Sequence, residues 1–289
     1  MRHLDKPTDD PGSVFLKCVS AIKDLDLKTR LTNCAPLIVD EAQEYERKIK
    51  INELYKLRKN KSTKANKNTR VLNGLVTINE MKNVYTSYFV PKNSPGRAIY
   101  DRIMGQPKNS KCPFCFHRQV STLDHYLPKG YFPLLSVVPI NLVASCKDCN
   151  FVKLGELPNK GSQEILHPYY DNIENECWLK AEVVKTSPVS LRFFVECPVG
   201  WDKILKERVE YHFCSLKLNE LYSAEAANEL MNINYQLNDQ FSVGGKQAVR
   251  EHLKDTAKSR TMAHINSWQT AMYTAISKDY WFCNAGFNH

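Results

Sequence analysis

Two Cys-x-x-Cys pairs, Cys112/Cys115 and Cys146/Cys149, limit what this chain can fold into more than any other feature. Each pair lets two thiolates reach one ion while the backbone N–H groups between them turn inward, and two pairs complete a tetrahedral set. Thirty residues separate Cys115 from Cys146, more than the usual zinc-ribbon loop of about 15–20. Something is therefore inserted between the knuckles, and the insertion carries Asp124-His125. A zinc closed by four thiolates has no open position, so the expected ion is structural and holds a small unit that lacks a core of its own. His117 lies beside the first knuckle, but four sulfurs leave it no place on the metal.

At 289 residues the chain can bury a full core as one elaborate domain or two small ones. Its 43% hydrophobic and 25% charged residues are ordinary globular material. The apolar runs Phe132–Leu135 and Val137–Leu142 are far short of the ~20 residues a membrane helix needs, and no secretory signal is visible at Met1. Four of ten cysteines sit in the knuckles and six are scattered, which favours metal binding in a reducing cytoplasm over a disulfide framework. The net charge of +9 is uneven: from Arg47 to Arg70 there are ten Lys/Arg and one acid, Glu53, leaving thirty bases against thirty acids elsewhere. Such a block suits phosphate contact, although a solvated helix end running into a loop has the same composition.

Along the chain, Ser13 is expected to cap a helix whose Phe15, Val19, Ile22 and Leu25 share a face. A second helix should begin at Pro36 and run through Ile49 toward Leu57. Lys59–Arg70 reads as a loop, and helices resume after Thr77 and at Ser94-Pro95. Beyond the knuckles, Trp178–Val184 and Val189–Glu196 predict a β-hairpin. Helices then follow from Trp201 and from Lys246 to Lys278, broken at Gly244-Gly245. Trp268, Met272, Ala275 and Tyr280-Trp281-Phe282 read as core. The expected class is α+β, a mainly helical scaffold carrying the zinc-stapled unit with a hairpin after it. Its segments are 1–104, 105–175 and 176–289.

The insertion reads as strand, loop, strand, helix. Val120–His125 is a short strand, Leu127–Asn141 a proline-rich loop and Leu142–Ser145 a second strand; Lys147–Leu154 is a helix closed by Gly155. Adjacent strand positions face opposite ways, so Asp124 and His125 diverge, as a metal ligand and a water-activating base flanking one phosphate require. Asn150 can add a second oxygen to a cation on Asp124. Two protein oxygens with waters and phosphate oxygen suit Mg²⁺, with Mn²⁺ a further choice. A packed turn with a hydrogen-bonded histidine is the plainer reading of the same pair.

In order and spacing, Cys-x-x-Cys, Leu-Asp-His-x-x-Pro, Asn-Leu-Val, Cys-x-x-Cys-Asn and Lys153 resemble the HNH (ββα-metal) endonucleases over Cys112–Gly155. The resemblance implies His125 as general base, Asn141 as the residue that fixes the loop and orients it, and Asp124 with Asn150 as holders of the catalytic metal. Where Asn150 stands, many members carry histidine. Lys129, Lys147, Lys153 and Arg118 are candidates to grip neighbouring phosphates. The wider layout is similar to HNH effectors of bacterial antiphage systems, Septu-type and retron-associated, which implies DNA as substrate and an ATPase partner. RNA cleavage, or a zinc-dependent nucleic-acid-binding module without hydrolysis, would use much of the same sequence. The role of His167, in His-Pro-Tyr-Tyr-Asp, is open between site and loop cap.

Overall fold

The computed structural model describes residues 1–60, 72, 75–153 and 157–289. Among the described residues the chain is mixed helix and sheet with two short antiparallel hairpins, and it divides into two units: Arg2–Asp171, and Asn172–His289 with Met1. Residues 2–104 and the knuckles thus share one unit, and the division falls next to the expected 175/176 boundary.

In the first unit, α1 (Pro11–Val19) is capped by Asp10, whose carboxylate accepts from the Ser13 N–H at 2.7 Å; Ser13 is the donor, not the cap. The amphipathic pattern read through Leu25 stops at Val19. Asp24 caps a separate α2 (Leu25–Thr32), and Leu25 is left exposed. Helix α3 (Ala35–Ile49) buries Ile38, Ala42, Tyr45 and Ile49, then ends short of Leu57 because Asn52 turns into the left-handed region at φ 55°. Helix α4 (Ile78–Tyr88) opens with a reciprocal capping box between Thr77 and Glu80, worth about 1 kcal/mol. Arg30 grips the Glu80 carboxylate with two guanidinium nitrogens, at 2.9 and 3.2 Å, fixing α2 to α4. Helix α5 (Arg97–Met104) starts after Gly96 rather than at Ser94. A side chain at residue 96 would meet the Phe89 ring and backbone within 3 Å, which explains a glycine there.

Within the basic stretch, Arg47 and Lys48 pair with Glu44, Lys50 with Glu46 and Lys56 with Glu53. Its described part therefore spends much of its charge on local helix pairs, each worth a few tenths of a kcal/mol. Lys61–Arg70 lie outside the described residues.

In the second unit, β3 (Leu179–Val184) and β4 (Ser190–Val195) form the expected hairpin. Asp202 caps α7 (Lys203–Ser215). Helix α8 (Leu218–Ala263) is interrupted at Gly244-Gly245, where Gly245 has φ 59° and ψ −153°, a region closed to residues with a Cβ. The expected helix to Lys278 instead breaks at His264–Ser267. Asn266 there accepts from the Trp178 N–H at 2.9 Å, and Ser267 caps a new helix, α9 (Trp268–Lys278), followed by α10 (Tyr280–Cys283). Trp178, Leu237, Met272 and Phe282 are buried, but Tyr280, read as core, is 67% exposed.

No helix among the described residues is long and apolar enough to cross a membrane.

Candidate metal centre and its flanking acid–base pair

The knuckles converge. The Sγ atoms of Cys112, Cys115, Cys146 and Cys149 all lie within 4.8 Å of one another, and all four residues are buried. A tetrahedral zinc with Zn–S near 2.3 Å has sulfur–sulfur edges of about 3.8 Å, so this set fits that ion in donor chemistry and spacing. The turn chemistry explains the convergence. Phe116 takes φ 47° so that its N–H reaches the Cys112 carbonyl at 2.7 Å, and the Cys149 N–H points at Cys146 Sγ at 3.4 Å.

Between the knuckles, β1 (Thr122–His125) pairs antiparallel with β2 (Leu142–Ser145), with Thr122 opposite Ser145 and His125 opposite Leu142. The strand begins two residues later than expected because Val120 donates to the Ser110 carbonyl instead. Helix α6 (Lys147–Lys153) follows the second knuckle; Gly155, its expected cap, lies outside the described residues.

Asn141 is completely buried and does what a loop anchor must. Its Oδ1 accepts from the Leu127 N–H at 2.8 Å, and its Nδ2 donates to the carbonyls of Leu127 and Leu135 at 3.1 and 3.2 Å. The next carbonyl in that loop, on Ser136, lies 2.8 Å from His125 Nε2. A carbonyl can only accept, so Nε2 carries the proton and Nδ1 keeps its lone pair. Burial and the Lys129 ammonium push the His125 pKa down to about 3, which keeps the imidazole neutral. The Tyr85 ring stands edge-on to it at 4.4 Å, with Lys129 above that ring at 4.4 Å. Asn141→Ala strands the Leu127 N–H and carbonyl and leaves the Leu135 carbonyl only its bond from the Val138 N–H. The expected cost is about 1–3 kcal/mol in a urea melt, with His125 released from its Ser136 anchor.

Asp124 leaves the strand on the other side, toward α6. Residues 122 and 124 share one strand face and residues 150 and 153 one helix face. Lys153 donates a short charge-assisted bond to Asp124 Oδ2, and Asn150 Nδ2 donates to Thr122 Oγ1 at 3.1 Å. Lys153, expected to reach phosphates from the surface, is instead buried with a 7% exposed side chain between the Phe114 and Tyr126 rings, at 4.7 and 4.6 Å. Burial raises the Asp124 carboxyl above the usual range, against the pull of Lys153. Asp124 and Asn150 are thus on one β1–α6 face, with an ammonium resting on the carboxylate. Asn150 Oδ1 makes no hydrogen bond among the described residues. Asp124 and Asn150 are the residues of this face that could hold a hard cation, and in this structure the carboxylate is occupied by Lys153.

Arg118 is paired with Asp148 at 2.8 Å, and Lys147 is exposed. His167 is spent inside the fold: Nδ1 accepts from the Tyr169 N–H at 3.1 Å and Nε2 meets Tyr45 Oη at 2.9 Å. Sequence reasoning missed Ser136, Thr122 and Tyr85. Ser136 acts through its carbonyl, which every residue has, so no residue-type signal could have marked it.

Over 291 aligned residues the chain is 27% identical to protein Ea31 of Escherichia phage lambda, covering 96% of this chain and 97% of that protein. No family profile and no solved structure matches it.

Proposed function

We propose that the chain is a metal-dependent endonuclease of the HNH type that hydrolyses phosphodiester bonds in DNA. The observation that carries this reading is the Ser136 carbonyl on His125 Nε2, which leaves an unprotonated Nδ1 one residue from a buried carboxylate. His167 is also held as one tautomer but has both ring nitrogens engaged, whereas His125 Nδ1 has no hydrogen-bond partner among the described residues and can accept a proton.

In this reading His125 Nδ1 takes the proton of the attacking water, and the Ser136 carbonyl steadies the imidazolium that results. Asn141 holds the loop that presents that carbonyl. Asp124 and Asn150 would hold Mg²⁺ or Mn²⁺, which when bound stabilises charge on the phosphorane and the departing oxygen. Lys129, which lies over the Tyr85 ring on the His125 side of the strand, and exposed Lys147 would meet neighbouring phosphates. The test is incubation of the full chain with supercoiled plasmid and with total RNA, with Mg²⁺ or Mn²⁺ added and withheld. Metal-dependent nicking of the plasmid is expected. Cleavage of RNA alone would move the substrate to RNA, and binding without cleavage of either would leave a zinc-stapled binding module.

Lys153 has a definite part in this reading, as the cation that neutralises Asp124 until metal arrives. Lys153→Met should destabilise the metal-free protein by about 3–5 kcal/mol, because it leaves a buried carboxylate unpaired. The same change should tighten Mn²⁺ about tenfold in a titration followed by electron paramagnetic resonance of the free ion. Weaker Mn²⁺ binding by a folded variant would make Lys153 a support for the metal rather than its competitor.

A further inference from the structure

The overall balance of thirty bases and thirty acids outside residues 47–70 conceals a second segregation of charge, on α8. From Leu218 to Gly245 that helix has four acids, Glu220, Glu225, Glu229 and Asp239, and no Lys or Arg. From Lys246 to Ala263 it has five bases, Lys246, Arg250, Lys254, Lys258 and Arg260, against Glu251 and Asp255. The sign changes at the Gly244-Gly245 interruption. Lys246, Arg250, Lys254 and Lys258 recur every fourth residue, all exposed, beside the buried seam Val249, Leu253 and Ala257. Local propensity has no need of such a row, since like charges at this spacing repel.

The row borders a cleft of about 300 Å³ formed with the α9–α10 junction, into which Lys246, Arg250 and Lys278 converge. Its acid, Asp279, is committed, with Oδ1 accepting the Phe282 N–H at 2.7 Å as the α10 cap. Tyr280 stands exposed at the rim. Its hydroxyl accepts from Lys246 Nζ at 2.8 Å, and the same ammonium lies 4.5 Å from its ring centroid. Converging cations, an acid tied up as a helix cap and an exposed ring beside them are the combination that holds a nucleic-acid strand, phosphates on the cations and a base on the ring. The volume is at the low end for ligand clefts, suited to one nucleotide of a longer strand.

We propose that this cleft of the second unit, lined by Lys246, Arg250 and Lys278 with Tyr280 at its rim, is a nucleic-acid-binding site that grips the sugar–phosphate backbone of a single strand. It takes from the nuclease reading only the class of ligand. The test is fluorescence anisotropy of a labelled 30-nucleotide DNA strand with the full chain, no divalent metal added, so hydrolysis plays no part. The triple variant K246E/R250E/K278E should bind at least tenfold more weakly, with a salt dependence shallower by about two, since each single-strand phosphate contact adds roughly 0.7 to the slope. Tyr280→Ala should weaken binding about fivefold or more through lost stacking. A control with the same change of net charge on α7 and the turn after it, K203E/K206E/K217E, should stay within about threefold, and circular dichroism should show all variants folded. Equal loss in the control, unchanged affinity in the cleft variant, or displacement of the strand by submillimolar ATP or inorganic phosphate would each overturn the proposal. The last would mark a site for free phosphate compounds. Loss of strand binding in the cleft variant with unaltered nicking, or the reverse for His125→Ala, separates this site from the catalytic one.

Discussion

Replacing His125 by alanine leaves zinc content and helical circular dichroism unchanged and lowers metal-dependent nicking by about 10²–10⁴-fold, the usual span for a lost general base. Tyr85 and Ser136 border the vacated space, and both remain held by other contacts, the Tyr85 hydroxyl on the Leu123 carbonyl and Ser136 Oγ on the Met81 carbonyl, each at 3.3 Å. The fold therefore survives the change. The pH profile is the sharper check. An ordinary histidine base fails as pH falls through about 6.5, but here burial and Lys129 hold the pKa near 3. The folded value lies below the unfolded one, so the neutral base persists as pH falls through 6.5 and protonates only far into acid. The rate should hold from pH 7 to about pH 5, well below the ordinary inflection. A rate that halves near pH 6.5 would show an imidazole in contact with solvent and not locked on Ser136. An undiminished rate in His125→Ala would remove the catalytic reading altogether.

Loss of the zinc site should be as severe, by a different route. In Cys146→Ser or Cys149→Ser, zinc falls from about one per chain to near none, because structural zinc binding of roughly 10–16 kcal/mol depends on all four thiolates. What unfolds is local. Cys146 and Cys149 start α6, and α6 carries Asn150 to Thr122 and Lys153 to Asp124. Limited proteolysis should open the chain between the knuckles, nicking should vanish, and the second unit should keep its melting transition. Cys214→Ser, at an exposed thiol with no place in the cluster, should change none of these. Retained zinc in a single-knuckle variant would show that the cluster is not a single four-sulfur site.

The two variants fail at different levels, one at a single side chain and the other at the fold around it. What could be read in the sequence was whatever depends on residue type at short range. Two Cys-x-x-Cys spacings determined that four sulfurs meet. The alternation and turn residues of 120–154 determined strand, loop, strand and helix, with Leu142–Ser145 read to the residue. The HNH resemblance alone marks Asn141 as a loop anchor; an amide that both donates and accepts can fill that place on the backbone of Leu127 and Leu135. Errors of extent came where a better cap intruded: Asp10 over Ser13, Asp24 beginning α2, and Ser267 dividing the last helix.

Only the tertiary structure decided what each polar group holds. Lys153 looks like any surface lysine near a helix end, yet it is buried on Asp124, 29 positions away. His125 acquires its tautomer from a carbonyl 11 residues on, and Tyr85 comes to its ring from another helix. Tyr280 follows an apolar series and still faces solvent beside the basic half of α8. These outcomes share one cause. Periodicity and capping are properties of neighbouring residues, whereas burial and partner choice depend on which surfaces pack together, and that packing is a property of the whole folded chain.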